Sequence, residues 1–185
     1  MGGTHDARQR ILDAALALVA QGGVHAATPA AVAQQAGAAK MSLYRHFDDK
    51  AELIAASLRE SDESIRDHIL GRRWGEIDDP RERLLSIFSA AAQRADRPGY
   101  VGCPYVICGL ENADDELSRV GNDHKDGVIA MLEIAAGECG AADPRALAES
   151  LLMLYDGAVT HAVMRGHGGP LRGAAIAAGA LIDAS

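Results

Sequence analysis

Residues 28–50 read TPAAVAQQAGAAKMSLYRHFDDK, and the local chemistry of this stretch decides the fold. Thr28 offers a hydroxyl to cap a helix, and Pro29 suits a first helical position, where a missing N–H leaves no bond unmade. Val32, Ala33 and Ala36 then share one face, and Gly37 is a natural stop. A second short helix is expected from about Ala39 to Phe47, and Asp48-Asp49-Lys50 opens a much longer one to about Leu70. Two short helices joined by a tight turn containing glycine are the helix-turn-helix pattern.

The second of these helices has two unlike faces. At about 100° per residue, Leu43 and Phe47 lie together on the side to be buried. Met41, Arg45 and Ser42 fall on the opposite side, with Tyr44 and His46 on the flanks. A helix lying in the major groove needs this arrangement, its outer face toward base edges and its flanks toward the two phosphate strands. Arg45 suits a bidentate contact to guanine, and Met41 offers an apolar surface to a thymine methyl. Lys50 stands at the next helix start, where its ammonium and free backbone N–H groups are expected to share a phosphate, and Thr28 is placed to do the same.

Upstream, a helix is expected over about Asp6–Gln21, burying Ile11, Leu12, Ala15, Leu16, Leu18 and Val19 and ending at Gly22-Gly23. Downstream the 3.6-residue period continues through helices over about Pro80–Ala95, Gly102–Asn112, Glu116–Cys139, Pro144–Arg165 and Leu171–Ile182, with Gly71–Asp79 as a linker. The expected fold is all-α, of about nine helices. Residues 1–54 are expected to form a three-helix DNA-binding domain, and residues 55–185 a second, helical domain.

Composition is consistent with this. At 185 residues and 48% apolar the chain is large enough for a real core and too apolar to stay disordered. No apolar run of about 18 residues suggests a membrane span, and the start, Met1 to Asp6, lacks a secretory pattern. Cys103, Cys108 and Cys139 are too few and too irregular for a disulfide framework or a zinc motif, so small buried thiols in a reduced, cytoplasmic chain are expected. No metal and no cofactor are expected. The net charge of −8 is distributed unevenly: residues 1–60 hold six Lys or Arg against six Asp or Glu, so the remainder carries all of it. One end is therefore suited to meet a polyanion, and the body is not.

Arg10-Ile11-Leu12 with Ala14-Ala15, Gly23, Thr28, Val32-Ala33, Ala36-Gly37, Leu43-Tyr44-Arg45-His46-Phe47, Lys50 and Leu53 resembles the tetracycline-repressor (TetR) family over about residues 6–54. The resemblance implies phosphate contacts from Ser42, Tyr44, His46 and Lys50, and base-facing positions for Lys40, Met41 and Arg45. Two positions depart from the family pattern. Ala39 stands where a capping Ser or Thr is common, and Met41 where a small residue is usual. Gly102-Cys103-Pro104-Tyr105, Glu111, His124-Lys125, Leu147-Ala148 and Asp156-Gly157-Ala158 are similar to one subgroup of these regulators.

The family implies a homodimer through the last two helices, a palindromic operator on double-stranded DNA, and repression relieved by a small-molecule effector. The residues themselves agree with a partner there: Leu147, Leu151, Leu154, Tyr155, Ala158 and Ala162 form one apolar face, and Leu152, Val159 and Val163 extend it. Ala174, Ala175, Ile176, Ala178, Leu181 and Ile182 add the last helix. For an effector, the candidate lining residues are Trp74, Phe88, Tyr105, Cys108, Glu111, His124 and Tyr155, apolar walls with a few polar groups. The alternatives are a DNA-binding dimer with no small-molecule effector and an all-helical enzyme. No phosphate loop, nucleophile motif or metal-ligand spacing supports the enzyme.

Overall fold

The computed structural model describes residues 3–70, 74–111 and 115–185. Among these the chain forms nine α-helices and no strand. They are α1 (Gly3–Ala26), α2 (Pro29–Ala36), α3 (Lys40–Leu43), α4 (Lys50–Leu70), α5 (Pro80–Ala95), α6 (Pro104–Glu111), α7 (Asp115–Glu138), α8 (Pro144–Arg165) and α9 (Gly169–Asp183). A single 3₁₀ turn, Trp74–Glu76, lies in the α4–α5 connection, part of which is outside the described residues. No described helix is long and apolar enough to cross a membrane.

The helix ends follow from their residues. The glycine pair expected to end α1 breaks its geometry, Gly23 taking φ 71°, after which a last turn runs to Ala26. Thr28 Oγ1 accepts the Ala31 N–H at 3.2 Å, and Gly37 closes α2 in the left-handed region at φ 60°. α3 departs from the expected Ala39–Phe47 helix. Its regular part is only Lys40–Leu43, and Tyr44-Arg45-His46 continue as a tighter turn in which the Leu43 carbonyl accepts the N–H groups of both His46 and Phe47. Ala39 offers no side-chain cap, and the backbone is already turning toward the next helix start. There Asp49 Oδ1 accepts the Glu52 N–H at 2.8 Å, and the Glu52 carboxylate accepts the N–H of Asp48, one residue before the cap, a variant of the capping box.

Two compact units result. The first comprises the chain up to Asp62 with Cys103–Asp123, so the helix-turn-helix, the start of α4, α6 and the start of α7 share one core. α1 packs on α2 and α6 around Ile11, Leu12, Ala15, Val32, Leu43, Phe47, Leu53 and Leu58, and the Tyr105 hydroxyl donates to the Leu58 carbonyl at 2.8 Å. The second unit comprises Glu63–Gly102 and His124–Ser185. Its core joins Leu84, Ile87 and Phe88 of α5, Val128 and Leu132 of α7, Leu151 and Tyr155 of α8, and Leu171 and Ala178 of α9.

α5 and α9 in this second unit are tied at both ends. Arg81 donates two hydrogen bonds to Asp183, at 2.7 and 2.8 Å, while Asp96 accepts from the Gly168 N–H and from Arg172, both at 2.8 Å. Gly168 has to be glycine: an added Cβ would sit 2.3 Å from the Ala92 carbonyl oxygen.

Candidate nucleic-acid interface

The short segment 40–47 presents a sharply divided surface. Leu43 and Phe47 are 3% and 4% exposed, whereas Met41 is 72% and Tyr44 48% exposed. Lys40 and Arg45 are exposed as well, and Ser42 and His46 are half-buried at the sides. Shortening of the regular helix leaves this division in place, because Phe47 N–H still bonds four residues back to Leu43.

Two of the expected phosphate donors have local roles that change what they can offer. The Thr28 hydroxyl oxygen already accepts from Ala31, so its own proton is the part available to an anion. At the start of α4 the expected free N–H groups are partly engaged, since Glu52 N–H and Asp48 N–H are held by carboxylates. The half-buried Lys50 is left as the donor there through its ammonium, not as one part of an open amide cradle. Asp48, Asp49 and Glu52, all exposed, offset Lys40, Arg45 and Lys50 in number, which holds the surface near neutrality.

The effector candidates are distributed between the two units. Tyr105 and Cys108 lie in the core of the first, and Trp74, Phe88, His124 and Tyr155 belong to the second. The Glu111 side chain is outside the described residues. The structure brings Phe88 and Tyr155 together edge to face, with ring centroids 5.9 Å apart, and Trp74 is half-buried against the same core. Arg94 donates to the Tyr155 hydroxyl at 3.1 Å. Beside the buried His124, Lys125 pairs with Asp156 of α8 at 2.6 Å. Arg94 was absent from the sequence-derived set because nothing local in its helix marks it. A cleft of about 220 Å³ lined by Asp96, Arg97, Tyr100 and Ala162 holds none of the seven candidates.

No group of three His, Cys, Asp or Glu among the described residues could hold a metal ion. All three cysteines are free, and burial, followed by the charges of Asp79 and Glu138, pushes the Cys139 thiol up, away from the reactive thiolate.

The apolar face of the last two helices is not quite the one read from periodicity. Leu152 and Val159 are already buried within the chain, as are Ala174, Ala178 and Ile182. What remains exposed is Met153, Val163 and Met164 of α8 with Ile176 and Leu181 of α9, Ile176 being 78% exposed. α8 packs on α5 along one side and α9 along another, so part of what looked like surplus apolar surface is consumed internally.

An all-helical chain with a divided short helix held in a two-helix frame belongs to the helix-turn-helix class of folds. The sequence profile of the bacterial regulatory proteins, tetR family, matches residues 11–57. The chain is similar to the HTH-type transcriptional repressor KstR of Rhodococcus jostii, 45% identical over 58 residues, 31% of this chain and 27% of KstR. It is also similar to the HTH-type transcriptional regulator BetI of Escherichia coli, 34% identical over 78 residues, 42% of this chain and 40% of BetI. These matches thus span well under half the length of either relative. Among solved structures, a TetR transcriptional regulator from Streptomyces avermitilis superposes with TM-score 0.82 at 32% identity, covering 96% of this chain and 97% of that one. Reduced NemR of Escherichia coli shares the fold, with TM-score 0.84 at 21% identity over 94% and 95% of the two chains. The chain belongs to the TetR family.

Proposed function

We propose that this protein is a homodimeric transcriptional repressor that binds a near-palindromic operator through α3 and leaves it when a small molecule binds the helical body. The observation that carries the reading is the division of residues 40–47, with Leu43 and Phe47 anchored inward and Lys40, Met41, Tyr44 and Arg45 turned out. In this reading Lys40, Met41 and Arg45 face bases, while Thr28, Ser42, Tyr44, His46 and Lys50 face phosphates. KstR and BetI carry the same helix-turn-helix designation, and KstR is a repressor. The exposed Met153, Met164 and Ile176 support a second copy as the partner of α8 and α9, because a lone chain would leave that apolar surface in water. A protein whose target is operator DNA acts in the cytoplasm in this reading, and its role is regulation, not catalysis.

Selection from a random duplex library with the purified full chain, at a stated moderate salt, tests this directly. Enrichment of a near-palindrome supports it, and failure to enrich any sequence removes it. A dimer that senses no small molecule is the second reading. Close packing of Phe88 against Tyr155, both essentially buried, favours it. A thermal-shift panel of small molecules separates the two: a stabilising compound that also releases the operator supports the first, and a flat panel the second.

A further inference from the structure

We propose that Arg8 is a positioning residue for α3, reaching from α1 across the Phe47 ring to Glu60 of α4. This rests on the DNA-reading role given to α3 above.

A regular helix of Lys40–Leu43 is one turn, too short to persist on its own, and Ala39 provides no cap. Its neighbour α2 is capped by Thr28 at one end and closed by Gly37 at the other. The direction of α3 therefore depends on what holds its two inward side chains. Leu43 is enclosed by the apolar core. Phe47, at the far end, meets a cation: the Arg8 guanidinium carbon lies 5.7 Å from the ring centroid, within the range of a cation–π contact. Arg8 Nη1 is also 3.5 Å from Glu60 Oε2.

An exposed ion pair alone contributes little. Here its effect is directional, since Glu60 draws the guanidinium to one side while its central carbon lies over the Phe47 ring. A planar guanidinium can satisfy both partners together, which a lysine ammonium does less well. The position of Phe47 sets that of its neighbours. Its N–H shares the Leu43 carbonyl with His46, and the His46 ring stands 6.2 Å from the Phe47 ring. Tyr44 and Arg45 sit on the same turn. A guanidinium that binds inward to Phe47 and Glu60 is also not a phosphate ligand, although its charge counts toward the Lys and Arg of the first 60 residues.

The test compares wild type, Arg8→Ala, Arg8→Lys and Phe47→Leu as full-length proteins on the selected operator and on random duplex, across about 50–200 mM salt. Arg8→Ala is expected to weaken operator binding about two- to fivefold per head, hence about four- to twenty-fivefold for a dimer. Random-duplex affinity and the salt slope should stay unchanged. Arg8→Lys should recover part of the loss, and Arg8→Ala should cost less in a Phe47→Leu background. Where Arg8→Ala does not fold, Arg8→Lys and Phe47→Leu carry the comparison.

Equal losses on operator and random duplex, with the slope flattened by about 0.9 per contact, would make Arg8 a phosphate ligand and overturn the proposal. Unchanged operator binding overturns it too. A wild-type chain that selects no duplex removes the reading of α3 and this inference with it. A wild-type chain that selects one, with Arg8→Ala indistinguishable from it, removes the inference alone.

Discussion

The outward faces of residues 40–50 and of the α8–α9 pair are made of opposite materials. The first exposes Lys40, Tyr44 and Arg45 beside the acids Asp48 and Asp49, with one large apolar side chain, Met41. The second exposes Met153, Met164, Ile176 and Leu181, with Gly157, Ala177 and Ala180 also open to solvent. Both belong to amphipathic helices whose inner faces are equally apolar. On the proposed reading, the partner of each region is set by the face the core does not use: hydrogen-bond donors and cations toward DNA in the first, small and flexible apolar groups toward another helix surface in the second.

The largest expected effect breaks the second face. Ile176→Glu would place a carboxylate from each copy in an apolar contact and is expected to weaken association by about 3 kcal/mol or more. Sedimentation should show monomer at concentrations where wild type is dimeric, with the helical signal retained. An unchanged sedimentation profile would mean that the second copy docks elsewhere.

On the first face, Arg45→Ala should cost about 1–3 kcal/mol of discrimination, confined to one base position per half-site. Repeating the selection with the variant measures this as a relaxed position in an otherwise unchanged motif. Lys50→Ala should act differently, weakening all sequences about equally and lowering the salt slope by about 0.9 per phosphate contact. If both variants lost affinity in the same sequence-blind way, the separation into base-facing and phosphate-facing groups would fail.

A smaller effect probes a seat inside the second unit. A Cβ added at Gly127 of α7 would lie 2.3 Å from Arg66 Nη1, the flexible end of a long side chain. In an Arg66→Ala background, Gly127→Ala should stabilise the helix by about 0.5–1 kcal/mol. With Arg66 present the gain should shrink or reverse, because the guanidinium must leave its place. Urea unfolding of the four proteins reads the sign change directly.

The smallest effect concerns the ties between α5 and α9. The hydrogen bond from Arg172, then that from the Gly168 N–H, holds the Asp96 carboxyl below its ordinary value of 3.8, and the hydrogen bond from Arg81 does the same for Asp183. A lowered folded-state value means that this contribution is complete above about pH 4 and fades as pH falls through the depressed range. Asp96→Asn with Asp183→Asn should therefore unfold at a slightly lower temperature at neutral pH and lose less stability on acidification. Parallel acid limbs for wild type and variant would show that the ties contribute nothing measurable.

Much of this molecule was legible before any coordinates, and the reason is local. Thr28-Pro29 offers a cap before a residue suited to a first helical position, Pro80 and Pro144 mark two further starts, and the three helices begin at those prolines, with Asp79 and Asp143 as the caps of the latter two. Gly37 and Gly166 end helices in the left-handed region that glycine alone enters freely. Positions without such markers were read less well. α3 is shorter than its pattern suggested, since Ala39 carries no cap, and α9 begins at Gly169 ahead of the expected Leu171. The caps that Asp49 and Glu52 form at the start of α4, and with them the engaged amides beside Lys50, left no such marker.

The sequence by itself determined the inward side of most helices, because burial follows a period of 3.6 that any helix must obey, although Leu16 and Leu18, expected inside, are only half-buried. It also determined the helix-turn-helix and the family, through residue types at fixed spacing. The tertiary structure alone decided how much apolar surface α8 leaves exposed, since that depends on how much α5 and α9 already cover. It alone placed Arg8 over Phe47, 39 positions away in the chain, and Arg66 over Gly127. Contacts between distant positions leave no periodic trace, because they are set by how helices cross and not by how each one winds.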